Sequence, residues 1–433
     1  MRTHRSTIAA ALAATLFAAA LSGCDKAPET TAAPSTSVTT GSLSAQTVKT
    51  LLAYTGGKEG AADKAPITIG YVNSQGGANA FPDYTTQIES AVALVNTRLG
   101  GIDGHPIQLK KCFVPGVEEQ GQKCAQEFLS DPKVVAVLEG ALDTGAQSFH
   151  ATLAGKLPVL GMMAVSLAGA NDRNAYYLSG GQFGAPSFVT YAKDHLKAKS
   201  VAMISAAGLP VAVQAATLLK NGFQAAGIEV TQATYAPTST DYVPSITASG
   251  AQKADMVLPL VVAPGQCLAL AKALQQVPVT APVVTFNSCL GRTVKDGLGD
   301  YPQWTFMSPT VNGDSTDQAP DTAAQIKAYQ EWFGPLRPAV TTAASGVQSL
   351  QLTLTLAKLL HGTGDAVTAQ TAAAAFKAFT GPVFLGSPRN AFGANPAFPA
   401  VGSLANRFYT YDGKDSWKDA TAGQWVVPAI PGR

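Results

Sequence analysis

The stretch Ile67-Thr68-Ile69-Gly70-Tyr71-Val72 decides the fold of this chain. Its β-branched and aromatic residues predict a short buried strand, and residues 84–99 follow with apolar side chains at helical spacing. A second strand is predicted at residues 107–112. A strand, a helix and another strand in this order indicate a parallel βαβ unit.

The same alternation continues to residue 286 and divides into two series. The first series adds a helix at 120–129 and strands at 134–138 and 158–161. The second series begins with a strand at 200–205 and adds a helix at 211–226 and strands at 230–235, 256–262 and 283–286. These series predict an α/β fold with two successive doubly wound parallel sheets.

The first 24 residues carry the features of a secretory signal. Arg2 and Arg5 precede an apolar run at residues 8–21, which is too short to span a bilayer as a permanent helix. The tetrapeptide Leu21-Ser22-Gly23-Cys24 resembles a bacterial lipobox, in which the cysteine becomes the lipid-bearing N-terminus. We therefore expect a signal peptide at 1–23, lipidation of Cys24, and export to the outer face of the cytoplasmic membrane. The alternative is an ordinary signal with a chance cysteine at its end.

The segment that follows Cys24 is rich in Thr, Ser, Ala and Pro. Such a composition cannot bury enough apolar surface to order itself. We therefore expect residues 24–65 to form a flexible tether, in which the apolar patch 48–54 forms at most one or two helical turns. The folded body is expected to begin near Pro66.

Length and charge limit the classes of function. The rest of the 433-residue chain is too long for one hydrophobic core and suits two lobes. Charged residues make up 13% of the chain, and the formal net charge is +2 at pH 7. Because no run of Lys and Arg suggests a face that follows phosphates, nucleic acid and anionic membrane surfaces are not expected partners.

Four of the five cysteines form two pairs that are close in sequence. Cys112 is followed by Cys124, and Cys267 is followed by Cys289. In an oxidising compartment this pattern predicts two local disulfides. Metal binding is the alternative, but neither pair has CxxC spacing or a flanking histidine.

Three segments resemble one protein family. They are residues 69–74 (Ile-Gly-Tyr-Val-Asn-Ser), residues 100–107 (Gly-Gly-Ile-Asp-Gly-His-Pro-Ile) and residues 139–145 (Glu-Gly-Ala-Leu-Asp-Thr-Gly). Together they resemble the N-terminal half of the leucine/isoleucine/valine-binding proteins, which are type I periplasmic binding proteins of ABC importers. Residues 343–350 resemble the late helix of that family, so the similarity extends from residue 66 to about residue 384.

The resemblance implies a type I periplasmic-binding fold, in which two lobes are joined by three crossover strands and close on a ligand. The crossovers are then expected within residues 176–187, 305–311 and 379–384. Residues 66–184 plus 311–378 would form lobe 1, and residues 185–310 plus 379–433 would form lobe 2. The tail is expected to contain a strand at 406–411 and to pack on lobe 2. The implied protein is a monomer whose partners are a small-molecule ligand and a membrane permease complex.

Candidate binding residues follow from the positions of the strand ends. Ligands of open α/β sheets bind beyond the carboxyl ends of the strands, where helix N-termini present unpaired N–H groups. Lobe 1 offers Ser74, Phe81, Asp143, Thr144, Met163, Ala164 and Ser166, and lobe 2 offers Leu209, Pro210, Val262, Asn287 and Ser288.

Two of these roles come from the resemblance. It implies that Asp143-Thr144-Gly145 holds a ligand carboxylate through a hydroxyl and an adjacent N–H, and that Phe81 forms an aromatic wall. The alternatives are a helix N-cap pair at Asp143 and Thr144, and a loop-packing role for Phe81.

The predicted loops of lobe 2 depart from the amino-acid binders. Residues 206–210, 261–264 and 286–289 contain no Asp, Glu or Tyr. A buried ammonium group must be paired, so binding of an α-amino acid is not expected. Met163 adds soft apolar surface in lobe 1, although core filling explains a methionine equally well. We expect an apolar or neutral-polar ligand, a class that includes carboxylated compounds and amides.

Other functional classes find less support. His105, His150, His195 and His361 are scattered, none lies in an HExxH motif, and no G-x-S-x-G motif occurs. We therefore expect no enzyme activity, no cofactor and no bound metal. A binder of branched-chain amino acids or amides and a ligand-sensing ectodomain without a transport role stay open as alternatives.

Overall fold

The computed structural model describes residues 43–77, 80–208, 210–261, 263–315, 320–340, 344–363 and 366–428. The expected signal peptide and Cys24 lie outside the described residues. The strands are β1 (Ile67–Ser74), β2 (Ile107–Val114), β3 (Val134–Glu139), β4 (Val159–Met163), β5 (Ala175–Ser179), β6 (Ser200–Ala206), β7 (Glu229–Tyr235), β8 (Met256–Leu260), β9 (Val284–Phe286), β10 (Thr305–Ser308), β11 (Arg407–Gly413) and β12 (Ser416–Asp419).

The α-helices alternate with these strands. They are α1 (Ala45–Thr55), α2 (Pro82–Arg98), α3 (Glu118–Leu129), α4 (Ala146–Leu153), α5 (Leu167–Asn171), α6 (Ser187–Tyr191), α7 (Pro210–Ala225), α8 (Val243–Ala248), α9 (Pro264–Leu274), α10 (Arg292–Leu298), α11 (Pro320–Phe333), α12 (Ala344–Leu360) and α13 (Ala369–Ala378). None of the helices within the described ranges is long and apolar enough to cross a membrane.

The first sheet contains five parallel strands in the order β2-β1-β3-β4-β5. Ile69, Tyr71 and Val72 of β1 are fully buried, as the apolar run at 67–72 predicts. The chain order reverses between β1 and β3, and ligands of doubly wound sheets bind at this switch point. The first of the two predicted sheets is confirmed.

Two further sheets, the parallel β7-β6-β8 and the mixed β12-β11-β10-β9, are linked by one isolated bridge, and we call them together the second sheet. β7, β6 and β8 are parallel, and an isolated parallel bridge between Val257 and Val283 connects them to the strands β9, β10, β11 and β12. β11 runs antiparallel to both β10 and β12. Lys414 and Asp415 both have positive φ between β11 and β12, as a tight two-residue hairpin requires. The strands β11 and β12 of the tail therefore belong to the second sheet.

Both predicted disulfides are present. Cys112 of β2 is bonded to Cys124 of α3, and Cys267 of α9 is bonded to Cys289, which follows β9. The Cα atoms of each pair lie 5.5 Å apart. Each bridge fastens a helix to a strand end at the edge where the ligand is expected.

The N-terminal segment 43–65 differs from the expected tether. Ser44 caps α1, and its backbone N–H and its hydroxyl both donate to the carboxylate of Glu331 on α11. Val48 and Leu51 are buried where α1 packs on α11 and α12. The folded body therefore includes α1 and does not begin near Pro66. The composition of the segment could not predict this, because α1 is stabilised by contacts with helices some 280 residues later in the chain.

The chain passes between the two sheets three times. It leaves β5 for α6 at 180–186 and leaves β10 for α11 after Ser308, as predicted. The third passage lies elsewhere, because residues 379–384 form no strand. Val401 is instead bridged to Tyr177 of β5, so the chain crosses to β11 at 402–406. The part of the tail before 402 thus packs on the first sheet, whereas the sequence assigned it to the second.

Candidate functional site

One buried asparagine joins the loops at the switch point of the first sheet. Asn73 is fully buried; its Oδ1 accepts the N–H of Ala141, and its Nδ2 donates to the carbonyl of Phe81. The N–H of Ser74 donates to the carbonyl of Ala141 at 2.9 Å. Asn73 therefore positions the loops that follow β1 and β3, a role that the sequence analysis did not assign.

Two predicted ligand residues carry buried hydroxyls that have no hydrogen-bond partner among the described residues. They are Ser74 at the end of β1 and Ser288 after β9. A buried hydroxyl without a partner costs about 1–3 kcal/mol, and folded proteins leave few such groups. Each sheet thus has an unsatisfied hydroxyl at its carboxyl edge.

Asp143 and Thr144 do not cap the helix that follows them, in contrast to the N-cap alternative given above. Gly145, with φ +87°, is the N-cap residue of α4, so neither Asp143 nor Thr144 holds that position. The N–H groups of Gly145 and Ser148 donate to the two carboxylate oxygens of Glu118, at 2.8 and 2.6 Å. These hydrogen bonds outweigh partial burial and lower the pKa of Glu118. Burial and the charge of Glu118 raise the pKa of Asp143.

A polar chain connects β4 with α2 through α12. The Sδ atom of Met163 accepts Nε2 of Gln348 at 3.5 Å, and Oε1 of Gln348 accepts the hydroxyl of Tyr84 at 2.8 Å. The ring of Tyr84 lies 6.2 Å from that of Phe81, which remains 41% exposed. Phe81 therefore packs against Tyr84 and still presents an exposed aromatic ring beside the switch point.

The other predicted residues of the first sheet have partners within the fold. The hydroxyl of Ser166 accepts the N–H of Gly169 and caps α5. Ala164 is buried, and its N–H donates to the carbonyl of Ser179 on β5. These two residues support the loop after β4.

In the second sheet, Asn287 leads into a chain of hydroxyl groups. Its Nδ2 donates to the hydroxyl of Ser308 at 3.3 Å, and that hydroxyl lies 3.2 Å from the hydroxyl of Thr310. Ser308 ends β10 and Thr310 begins the second passage, so the chain of hydroxyls reaches the connection between the sheets. Pro210 is the first residue of α7. The predicted residues Leu209 and Val262 lie outside the described residues.

A cavity of about 400 Å³ lies beside this chain of hydroxyls. Asn287, Ser308 and Thr310 line it together with Val347 of α12. Val347 belongs to α12, which packs on α2 and β4 of the first lobe. Elements attached to both sheets therefore meet there. Aromatic residues that the sequence analysis did not assign complete the lining: Tyr301, Phe306, Tyr329, Tyr409 and Trp417.

The charged groups of the cavity are paired. Lys295 lies 2.7 Å from the carboxylate of Asp415, and Arg337 donates to both carboxylate oxygens of Asp314. Within the described lining, therefore, each acid already has a basic partner. Sequence reasoning missed these pairs because their members lie 23 and 120 positions apart.

A buried ionic cluster adjoins the loop that follows β3. Nε2 of His150 lies 3.2 Å from the carboxylate of Glu139, and Nδ1 lies 2.8 Å from that of Asp172. The hydroxyl of Tyr177 donates to Glu139 at 2.8 Å. Burial lowers the pKa of His150, but the hydrogen bonds and charges of Asp172 and Glu139 outweigh it and raise the pKa to about 9. The described residues contain no group of His, Cys, Asp and Glu placed to hold a metal ion.

The fold combines parallel sheets in two lobes with a cavity lined by elements of both. A sequence model of the family described as "Periplasmic binding protein" matches residues 66–400, so the chain belongs to this family. It is a binding protein rather than an enzyme. A search of curated proteins gave no match.

Solved structures share the type I periplasmic-binding fold. A leucine-binding protein of Thermotoga maritima matches with a TM-score of 0.64 and 11% identity, over 84% of this chain and 99% of its own. A fatty acid ABC transporter substrate-binding protein of Thermomonospora curvata matches with a TM-score of 0.65 and 15% identity, over 87% of this chain and 95% of its own. A solute-binding protein of R. palustris in complex with benzoate matches with a TM-score of 0.64 and 14% identity, over 84% of this chain and 97% of its own.

Proposed function

We propose that this chain is the exported, lipid-anchored substrate-binding protein of an ABC importer. It captures a small apolar or weakly polar ligand, with or without a carboxylate, and delivers it to a membrane permease complex. The family supports ligand capture. The signal sequence and the lipobox-like Leu21-Ser22-Gly23-Cys24 support anchoring beside the permease. Structural neighbours named for a fatty acid or bound to benzoate support the ligand class.

The observation that carries the proposal is the pair of buried hydroxyls without partners among the described residues. Ser74 and Ser288 follow strands of different sheets, and both stand at carboxyl edges. A ligand that contacts both sheets is able to satisfy both hydroxyls, which gives its binding free energy a direct link to closure of the two lobes.

The paired acids of the cavity support the choice of ligand. Asp314 and Asp415 are already engaged by Arg337 and Lys295. A ligand ammonium group would compete with Arg337 for Asp314, whose two carboxylate oxygens are both engaged, or with Lys295 for Asp415, which is 78% exposed and therefore heavily screened by water. The aromatic lining and a volume of about 400 Å³ suit a ligand of modest size that is mainly apolar.

The test is a calorimetric and thermal-shift screen of the protein without its signal peptide. The compounds are free amino acids, amides, aromatic acids, and fatty or terpenoid acids. We expect binding of at least one mainly apolar compound and none of leucine. Micromolar binding of leucine would instead identify a binder of branched-chain amino acids. A ligand response without capture of a permease complex in membrane pull-downs would identify a sensing ectodomain.

The variants Ser74→Ala and Ser288→Ala sharpen this test. Each removes a buried hydroxyl that lacks a partner, so each should leave the free protein as stable as before, or more stable by about 1 kcal/mol. Each should also weaken binding of the compound found in the screen by about five- to tenfold. Ser130→Ala on the exposed end of α3 is the control and should change neither quantity. Unchanged affinity in both variants would remove these hydroxyls from the site.

A further inference from the structure

We infer that Glu118 is a specificity-determining residue, because its carboxylate occupies the anion-binding N-terminus of α4 and leaves this edge of the first sheet suited to an uncharged ligand group. The inference rests on the proposed function and narrows its ligand class. It favours an amide, a carbonyl or an alcohol at this edge over a carboxylate.

The N–H groups at the start of α4 are already engaged. The first four N–H groups of a helix have no acceptor within it, and here the first bond along the helix runs from Phe149 to the carbonyl of Gly145. The N–H groups of Gly145 and Ser148 donate to Glu118. The N–H of Ala146 donates to the carbonyl of Asp143 at 3.2 Å. Three of these four donors are therefore engaged, and the helix dipole already has its anion.

The fold holds the carboxylate of Glu118 in place. Glu118 is the first residue of α3, and its carbonyl accepts the hydroxyl of Ser148. A Cβ atom on Gly121 would lie 1.9 Å from the carbonyl oxygen of Gly145, so only glycine permits this approach of α3 to α4. The bond between Cys112 and Cys124 then fastens α3 to β2. Three contacts thus fix the start of α3, from which the exposed side chain of Glu118 reaches the N–H groups of α4.

A second acid, Asp143, adds to the preference for an uncharged ligand group at this edge. Asp143 lies two residues before Gly145, whose N–H donates to Glu118, and burial together with the charge of Glu118 raises the pKa of Asp143. A ligand anion at this edge would face both of them, and like charges brought together across an interface weaken binding strongly. The hydroxyl of Ser74, in contrast, is able both to donate to and to accept from an uncharged group.

Calorimetry with matched pairs of probes tests the inference. The pairs are benzoate with benzamide and 4-methylpentanoate with 4-methylpentanamide. We expect wild-type protein to favour the amide of a pair by about tenfold or more. Glu118→Ala should bind the carboxylate of a pair about tenfold more tightly than wild type does, and its affinity for the amide should change by less than about twofold. Glu119→Ala removes the same charge from the same helical turn and should behave as wild type. Equal or tighter binding of the carboxylates by wild type, or an unchanged ratio in Glu118→Ala, would overturn the inference.

Chemical rescue gives a second measurement that needs no cleft ligand. Glu118→Ala should lower the Tm, and formate should restore it relative to chloride at the same ionic strength, because formate is able to fill the vacated anion position. Wild type and Glu119→Ala should not respond to formate. If neither probe pair binds wild type, the proposed ligand class has failed for those probes. Rescue by formate then supports the placement of the Glu118 carboxylate at the N-terminus of α4, and no rescue overturns it.

Discussion

Raising the pH should destabilise this protein through His150. The imidazole is buried between the carboxylates of Glu139 and Asp172, and its pKa in the folded protein is about 9. In the unfolded chain it returns to about 6.5. Because the folded pKa is the higher one, its contribution to stability is complete below pH 6.5 and is lost as the pH rises through 9. A difference of this size corresponds to about 3 kcal/mol.

The assay is equilibrium unfolding in urea at a series of pH values from 6 to 9.5. Wild type should lose about 3 kcal/mol of unfolding free energy across this window. His150→Gln leaves two buried carboxylates without a cation, so it should be destabilised by about 3–5 kcal/mol at pH 6 and should then show little further decline. His195→Gln is the control, because His195 is exposed in the segment 192–196 that follows α6, and this variant should show the same dependence of unfolding free energy on pH as wild type. Parallel curves for wild type and His150→Gln would refute this reasoning.

Further predictions concern the bridges, the ligand, closure and the anchor. Replacing Cys267 and Cys289 together by alanine should lower the free energy of unfolding by about 2–3 kcal/mol, as measured in urea; unchanged stability would contradict a structural role for this bridge. Leucine should bind several orders of magnitude more weakly than the best neutral ligand, and calorimetry that finds micromolar leucine affinity would reject the unpaired-ammonium argument. Small-angle scattering should report a smaller radius of gyration at saturating ligand, whereas identical profiles would count against lobe closure. Cys24→Ala should abolish metabolic labelling with palmitate and release the protein from the membrane fraction, and retained label would place the lipid elsewhere.

Local sequence patterns predicted most of the strands and helices and the positions where the strands end. The alternation of strand and helix from residue 67 to residue 286 is confirmed, as are both disulfides. Ser74, Asn287 and Ser288 could be named as site candidates because strand ends are visible in sequence. The pairings of Gln348 with Met163 and of Lys295 with Asp415 could not, because their members lie 185 and 120 positions apart in the chain. Helix α1 and the third passage at 402–406 were misplaced for the same reason.

The sequence by itself determined the α/β class, the order of the elements, the cysteine pairs and the carboxyl edges where a site would form, because each depends on spacing between near neighbours. Tertiary structure alone decided which groups at those edges remain available. Glu118 occupies the donors of α4, Arg337 and Lys295 neutralise two acids, and Ser74 and Ser288 have no partner among the described residues. Such pairings depend on distances of about 3 Å between residues that are far apart in sequence, and only the packing of α3 on α4 and of the tail on the second sheet sets those distances.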